Sequence, residues 1–470
     1  MNGADSTAAL KAAVRDNGVE TVRIVFPDQH GILRGKAVPV RVLDSALGRG
    51  VTMTSTLLLK DTSHRTVFPV WDGDAGFGAG VLTGAGDVVM RPDPMTFRIL
   101  PWAPHSAWLM ADIHLADGTP FAFGSREVLR RAMATLAAAG LALRVGLELE
   151  FHVYRITDAR LGHGDGGMPP AAPETELLTH GGQYLTEDRY AVLEPVMDDL
   201  RRAAEKLGLP VRSMEVEFGA SQFEFTFDPA DPLTQADNMV MFRTMAKQVC
   251  RDRGLHATFM ARPQLPNGMA SGWHLHQSLS PVTEPSTNLF VPAAGRDLTD
   301  HAAGWIAGLL AHAAETMLFA VPTVNGYKRF GTPYQLAPDR IAWGHDNKGA
   351  MVRALLRAGD PASRLENRAA EPAANPYFHM AAQIMSGLDG IQRGLQPPAP
   401  VDRPYADPGV PLPGNLGEAL AAFEAASKTG GGFVADAFGP DFAAWYAVIR
   451  RAEWNRFLAT VTDWEQREYF

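Results

Sequence analysis

Residues 144–154, RVGLELEFHVY, alternate with strict period two. Val145, Leu147, Leu149, Phe151 and Val153 fall on one face of a strand, and Glu148, Glu150 and His152 on the other. SMEVEF (213–218) and SQFEFTF (221–227) predict two more strands broken at Gly219-Ala220, and GWHLHQSL (272–279) and RLENR (364–368) predict another two. Helical spacing appears over Ser125–Ala139, with Ser125 placed to cap it, and over Glu187–Leu207, Leu233–Gly254, Ala302–Val321, Tyr377–Leu395 and Leu416–Phe470. Nearer the N-terminus, VETVRIVF and GKAVPV flank PDQHGILR and read as paired strands, and Phe97–Ile113 is strand-like. WDGDAGFGAG (71–80), Gly162–Pro173 and the proline-rich Pro397–Pro413 read as loops or linker. The expected organisation is a small domain over 1–115 and a larger one over 116–470, an α+β architecture.

The composition of this 470-residue chain is ordinary for a globular protein, with 46% hydrophobic and 20% charged residues. A net charge of −9 argues against broad nucleic-acid binding, which needs a basic footprint. One cysteine, Cys250, excludes an internal disulfide and a cysteine-rich zinc site, and a reducing cytoplasm is the expected location. The N-terminal MNGADSTAALKAAVRD lacks the pattern of a signal peptide. The apolar run Gly304–Pro322 carries His312 and Glu315, so it predicts a buried helix rather than a membrane span.

Ionisable residues recur on the polar faces of several strands: Glu148 and Glu150; Glu215, Glu217 and Glu224; His274 and His276; Arg364, Glu366 and Arg368. On one strand this describes a solvated sheet face. If the strands share one sheet, five or six carboxylates crowd together, which is unfavourable unless cations sit among them. Carboxylates with one imidazole suit Mg²⁺ or Mn²⁺ better than zinc, and guanidiniums beside divalent metals clamp phosphates. There is no Walker A motif, so a nucleotide would be held by metals and basic side chains.

The motifs GLELEF (146–151), EFGASQFE (217–224), ATFMARP (257–263), SGWHLHQSL (271–279), NGYKRF (325–330), NKGAMVR (347–353) and RLENRAAEPAANPY (364–377) resemble the class I glutamine synthetase family over nearly the whole chain. The nearest likeness is to the branch that makes γ-glutamyl amides from amines. The resemblance implies a small N-terminal β-grasp domain and a catalytic domain with a curved antiparallel sheet. It also implies active sites between subunits of a homo-oligomer, a dodecamer of two hexameric rings. The substrates it implies are glutamate, ATP and an amine, joined through γ-glutamyl phosphate. By motif, Glu150, Glu217 and Glu224 hold a first metal, and Glu148, Glu366 and His274 a second. His276, Ser278, Lys348, Arg353 and Arg364 fall at ATP positions. Arg329 and Arg368 fall at glutamate positions, and with Arg353 they act on the transferred phosphoryl group. His152 and Glu215 have no role in this scheme; His152 is read as structural and Glu215 as an exposed neighbour on its strand.

Two departures concern the acceptor. Ammonia-using members carry a carboxylate where this chain has Thr54, and a flap glutamate where PYQLAP (333–338) places Leu336. Ammonium needs nearby anions to bind and a base to become nucleophilic. Met53, Thr54, Tyr334 and Leu336 therefore outline a pocket for a larger, partly apolar amine; methylamine, ethanolamine, isopropylamine, aniline and a polyamine all remain open. Lys348 stands where arginine is usual and loses its bidentate fork, and Met269-Ala270 replaces an Asn-Gly pair. The rival expectations are an ammonia-using glutamine synthetase, a metal-free structural homologue and a calcium-binding module. The last explains the acidic strands but not the arginines beside them.

Overall fold

A computed structural model describes residues 3–71, 80–265, 268–330, 336–407 and 409–470. Tyr334, and nearly all of the 71–80 loop, lie outside the described residues.

The N-terminal part begins with a helix that the sequence pattern did not single out, α1 (Gly3–Asp16). The strands β1 (Thr21–Pro27), β2 (Leu33–Pro39), β3 (Val51–Thr54), β4 (Asp87–Pro92), β5 (Arg98–Leu100) and β6 (Ala103–His114) follow, with α2 (Leu43–Arg49) before β3. They form one sheet in the order β2-β1-β6-β4-β3, with β5 on β6. The β1–β2 hairpin bears out the paired strands expected there, and β1 runs parallel to β6.

After α3 (Ser125–Ala138), the second sheet comprises β7 (Leu141–Ile156), β8 (Thr175–Leu177), β9 (Val211–Val216), β10 (Gln222–Ala230), β11 (Leu255–Thr258), β12 (Trp273–Pro281), β13 (Trp343–His345), β14 (Val352–Leu355) and β15 (Arg364–Asn367). Its order is β13-β14-β15-β12-β7-β10-β9, with β8 and β11 also on β7, and it is antiparallel except for β13–β14. The alternation read in β7 sets its two faces. Leu147, Leu149 and Phe151 are buried against Phe223, Phe225 and Phe242, with the Phe151 and Phe223 rings stacked at 5.6 Å. The helices α4 (Glu187–Lys206) and α5 (Pro232–Arg251) pack on this sheet, α8 (Pro376–Gln392) packs on α5, α6 (Asp300–Ala311) and α7 (Ala313–Ala320) pack on α8, and α9 (Leu416–Ala425), α10 (Phe433–Phe438), α11 (Pro440–Leu458) and α12 (Asp463–Tyr469) close the chain.

Three local expectations are corrected. Ser125 is the first residue of α3, not its cap, which is Gly124. Its hydroxyl instead donates to the Asp28 carbonyl (2.9 Å) and accepts from Asn375 Nδ2 (2.9 Å), tying the end of β1 to the start of α8. The helix expected over Ala302–Val321 is two helices bent by 79° about His312. The His312 ring stacks on Phe433 at 3.6 Å, and its two nitrogens face Glu315 and Asp389. Among the described residues no single helix is long and apolar enough to cross a membrane, and the α6–α7 pair is mostly buried core. Finally, the 397–413 segment packs back on β13, where Val401 and Pro398 bond with Trp343.

Candidate active site

The register of the second sheet brings the separate polar strand faces together. β12 pairs His274 with Glu148, β10 pairs Glu224 with Glu150, and β15 pairs Glu366 with His276 and with Arg353. Glu217 follows β9 in the tight turn to β10, which passes through Ser221 at φ 58°. Arg329 ends a short 3₁₀ turn (Gly326–Arg329), and Lys348 precedes β14.

Two adjoining cavities meet at Glu148 and Glu215. One, about 520 Å³, is lined by Glu148, Glu150, Glu217, Glu224 and His274 together with Arg329, Lys348, Arg353 and Arg368. The other, about 610 Å³, takes in His276, Ser278 and Arg364. Five of the six expected metal positions and the two arginines expected to bind glutamate thus line one chamber, with Glu366 fully buried and not among its lining residues, and three of the expected ATP positions line the next. Glu215 is not merely an exposed strand neighbour: it borders both chambers and accepts from Ser213 Oγ (3.1 Å).

The charges are arranged in two sets. Glu366 is fully buried and accepts from Arg353 Nη1 (3.0 Å) and from Arg368 Nη1. Burial works to raise its pKa, but the cations, Arg368 foremost, hold it below the usual range. Glu148 is also held low against the effect of burial, here by hydrogen bonds with His274 (3.1 Å) and His276 (2.7 Å). Arg364 Nε donates to His276 Nδ1 (3.1 Å), so His276 carries its proton on Nε2, where it is given to Glu148.

The second set is under-compensated. Burial and then Glu217 push Glu150 up to about 8. Burial and then Glu150 and Glu217 push Glu224 up to about 11, and burial raises Glu217 as well. A divalent cation removes both penalties, because it replaces lost hydration and offsets like-charge repulsion. Ligand atoms of Glu148, His274 and Glu366 lie within 4.8 Å of one another, as do those of Glu150, Glu224 and His274. The donors are carboxylates with one imidazole, which fits a hard divalent ion. Glu217 hydrogen-bonds to Glu224 beside the second group.

Backbone and neighbouring groups hold this array in place. Gln222 Nε2 donates to Glu150 Oε2 (3.0 Å) and Ser271 Oγ (3.1 Å), and Gly272 N donates to the same Glu150 oxygen (2.9 Å). Arg329 is buried and donates from Nη1 to the carbonyls of Ala369 (2.9 Å) and Ala370 (2.8 Å). His152 accords with its structural reading: it is buried beside Ser271 (3.2 Å), and burial lowers it to about 3.

The apolar lining was only partly foreseen. Leu336 borders the cavity and is 57% exposed. Tyr184 and Phe218, absent from the sequence reading, stack at 5.8 Å on the cavity wall and are 39% and 40% exposed. Tyr184 lies in a stretch without periodicity, and Phe218 adjoins Glu217 in a turn, so neither gave a pattern to read. Met53 and Thr54 are not among the described residues that line either of these two cavities. Thr54 is exposed and accepts from Thr56 N (3.4 Å), whereas Met53 is 3% exposed and points into the core beneath the first sheet.

A family model described as the glutamine synthetase catalytic domain matches residues 123–469. The chain belongs to the glutamine synthetase family. Among its relatives is the γ-glutamylanilide synthase of Acinetobacter sp, 39% identical over 99% of this chain and 96% of that protein. The γ-glutamylethanolamide synthetase of Streptomyces coelicolor is 32% identical over 98% and 95%, and the glutamine synthetase of Methanosarcina mazei 31% over 97% and 96%. The solved structure of GmaS with ADP superposes with a TM-score of 0.80 at 29% identity, covering 98% of this chain and 99% of that one. These findings bear out the α+β glutamine synthetase fold and the reading of the protein as an ATP-dependent carbon–nitrogen ligase.

Proposed function

We propose that the protein joins the γ-carboxylate of glutamate to a monoamine with an alkyl or aromatic substituent, in preference to ammonium. The observation that carries this reading is Leu336 lining the cavity, where a carboxylate would attract ammonium, with the exposed Tyr184–Phe218 pair lining the same cavity. An ammonium ion gains at most a weak cation–π attraction from the two rings and nothing from Leu336, whereas an apolar substituent loses contact with water against all three. The relatives named for anilide and ethanolamide synthesis are in accord with it.

In this reading the glutamate γ-carboxylate attacks the terminal phosphorus of ATP and ADP leaves. The amine nitrogen then attacks the acyl carbon, phosphate departs, and the nitrogen loses a proton. Arg329 and Arg368 hold glutamate carboxylate and phosphoryl oxygens, Arg353 and Lys348 offset charge on the phosphates, and His276, Ser278 and Arg364 contact the nucleotide. Glu150, Glu217 and Glu224, and Glu148, Glu366 and His274, would hold two divalent ions, Mg²⁺ or Mn²⁺, which when bound neutralise phosphate charge and polarise the phosphoryl oxygens. An aromatic amine is already neutral at pH 7, which suits a site where Thr54 and Leu336 replace the two carboxylates. Thr54 serves the site of a neighbouring subunit in a dodecameric homo-oligomer, and the protein works in the cytoplasm.

A polyamine needs an anion for its distal ammonium. Asp61, near Thr54 in sequence, is buried, accepts from the backbone of Ser63 and Arg65, and is paired with Arg456, so its charge is already spent. The test is ADP release at fixed glutamate across ammonium, methylamine, ethanolamine, isopropylamine, aniline and a polyamine. Aniline or a small alkylamine should lead; ammonium turned over as efficiently as the best amine overturns the proposal.

A further inference from the structure

Away from the active site, a cavity of about 370 Å³ opens where the Gln29–Leu33 turn meets α5 and α11. Four cationic side chains line it, Arg243, Lys247, Arg251 and Arg450, and among its described lining residues there is no aspartate or glutamate. In a chain of net charge −9 this concentration of one sign stands out. The walls between the cations are apolar, including Ile32, Phe259 and Tyr446.

The cations differ in how they are satisfied. Arg243 is buried and spends its donors on backbone carbonyls: Nη1 to Pro372 and Ala374 (both 2.9 Å), Nη2 to Gly31 (2.7 Å). Carbonyls satisfy hydrogen bonds but carry no formal charge, and the anions that act on this guanidinium, Asp28 and Glu371, do not line the cavity, so its field there is only partly offset. Arg450, also buried, donates to the Pro322 carbonyl (3.1 Å), lies against His30, and meets Glu453 at 3.4 Å. Its Nε is buried with no hydrogen-bond partner. Lys247 is open to solvent at the cavity mouth; its ammonium stands 5.8 Å from the Phe259 ring, and its charged neighbours are Arg243 and Arg251.

We propose that this cavity binds a small organic anion, a carboxylate or phosphate ester, whose charged end meets Lys247, Arg251 and Arg450 and whose carbon skeleton lies against Ile32, Phe259 and Tyr446. An anion here offsets the mutual repulsion of the cations. The cavity is lined both by the turn after β1 and by helices of the second layer, so its occupant would brace the first sheet against the catalytic sheet's helices.

Acylation of Lys247 tests this locally. Whole protein is treated with acetic anhydride near pH 8, and the modified lysines are quantified by mass spectrometry. The reaction is run with succinate, glycerol phosphate or inorganic phosphate, or with chloride at matched ionic strength. An anion at ~10 times its Kd leaves roughly a tenth of the sites free, so Lys247 modification should slow about tenfold. Lys348, in the active site, is read in the same digest, and protection of Lys247 should persist when ADP already covers that site. Arg251→Gln should weaken protection without abolishing it. The ranking of succinate against the phosphates identifies the preferred head group. Equal protection by chloride, or no protection by any of the three anions, overturns the proposal.

Discussion

A methyl group placed on Gly272 would stand 2.9 Å from Nη2 of Arg329. The same position is 3.0 Å from His274 Nε2 and 3.4 Å from Glu150 Oε1. Three functional groups therefore converge on a space that only a glycine leaves open, and its amide at the same time fixes Glu150. Gly272→Ala should leave the fold intact but lower kcat/KM about 100-fold, because ångström displacements of positioned groups cost that much. A variant with the parent's steady-state constants for ADP release would show that these contacts do not set the geometry.

Glu366 joins Arg353 and Arg368 at a proposed metal position. Glu366→Ala should abolish divalent-dependent ADP release. It should also lower thermal stability, by about 3–5 kcal/mol, since removing one member of a buried ion pair strands its partners. Arg353 retains Asp346 as a partner, which places the loss nearer the lower figure. Full activity at ordinary Mg²⁺ concentration would sink the assignment.

The metal-free protein should respond to pH in a defined direction. Glu150 and Glu224 are raised to about 8 and about 11 in the fold, against about 4.3 for a free glutamate. Their protonated forms favour the folded state. That contribution is complete below the unfolded pKa and is lost as pH climbs through the folded values. Melting temperatures in chelator should thus fall from about pH 5 through pH 8 and go on falling toward about pH 11, Mg²⁺ should reverse the fall, and Glu150→Gln should flatten mainly the part below pH 8. Calorimetric titration with Mg²⁺ near pH 7 should also release protons.

Thr54→Asp or Leu336→Glu should raise the use of ammonium relative to a hydrophobic amine, because an anion restores attraction for a small cation. Phe218→Ala should raise KM for aniline while changing that for ammonium little. Uniform effects across the amine panel would mean that these residues do not contact the acceptor.

Activity should fall on dilution if Thr54 of one subunit completes another's site. Specific activity and sedimentation measured on the same dilution series would decide this, and a fully active monomer would contradict it.

Much of the site was legible in the sequence because period-two strands write their polar faces directly into residue order. Glu148, Glu150, Glu224, His274 and Glu366 could each be placed on a face that way, and the resemblance to the family supplied Arg329, Arg353 and Lys348. What strand patterns do not contain is register. Whether His274 lies opposite Glu148 rather than one residue along depends on which strands pair, and that decides whether the carboxylates gather or scatter.

The sequence by itself determined the strands that carry most of the ionisable residues, the chemistry of their polar faces and the family, since these depend on local periodicity and on motifs contiguous in the chain; the short strands β3, β4, β8, β11, β13 and β14 were not among them. Tertiary structure decided the rest. It bent the expected 302–321 helix at His312, took Ser125 from its capping role, turned Met53 inward, and carried Tyr184 and Phe218 onto the cavity wall. It also divided the carboxylates into an arginine- and histidine-compensated pair, Glu148 and Glu366, and a cluster with raised pKa values that calls for a cation. Burial and the distance between charges fix that division, and both arise only when segments remote in sequence pack together.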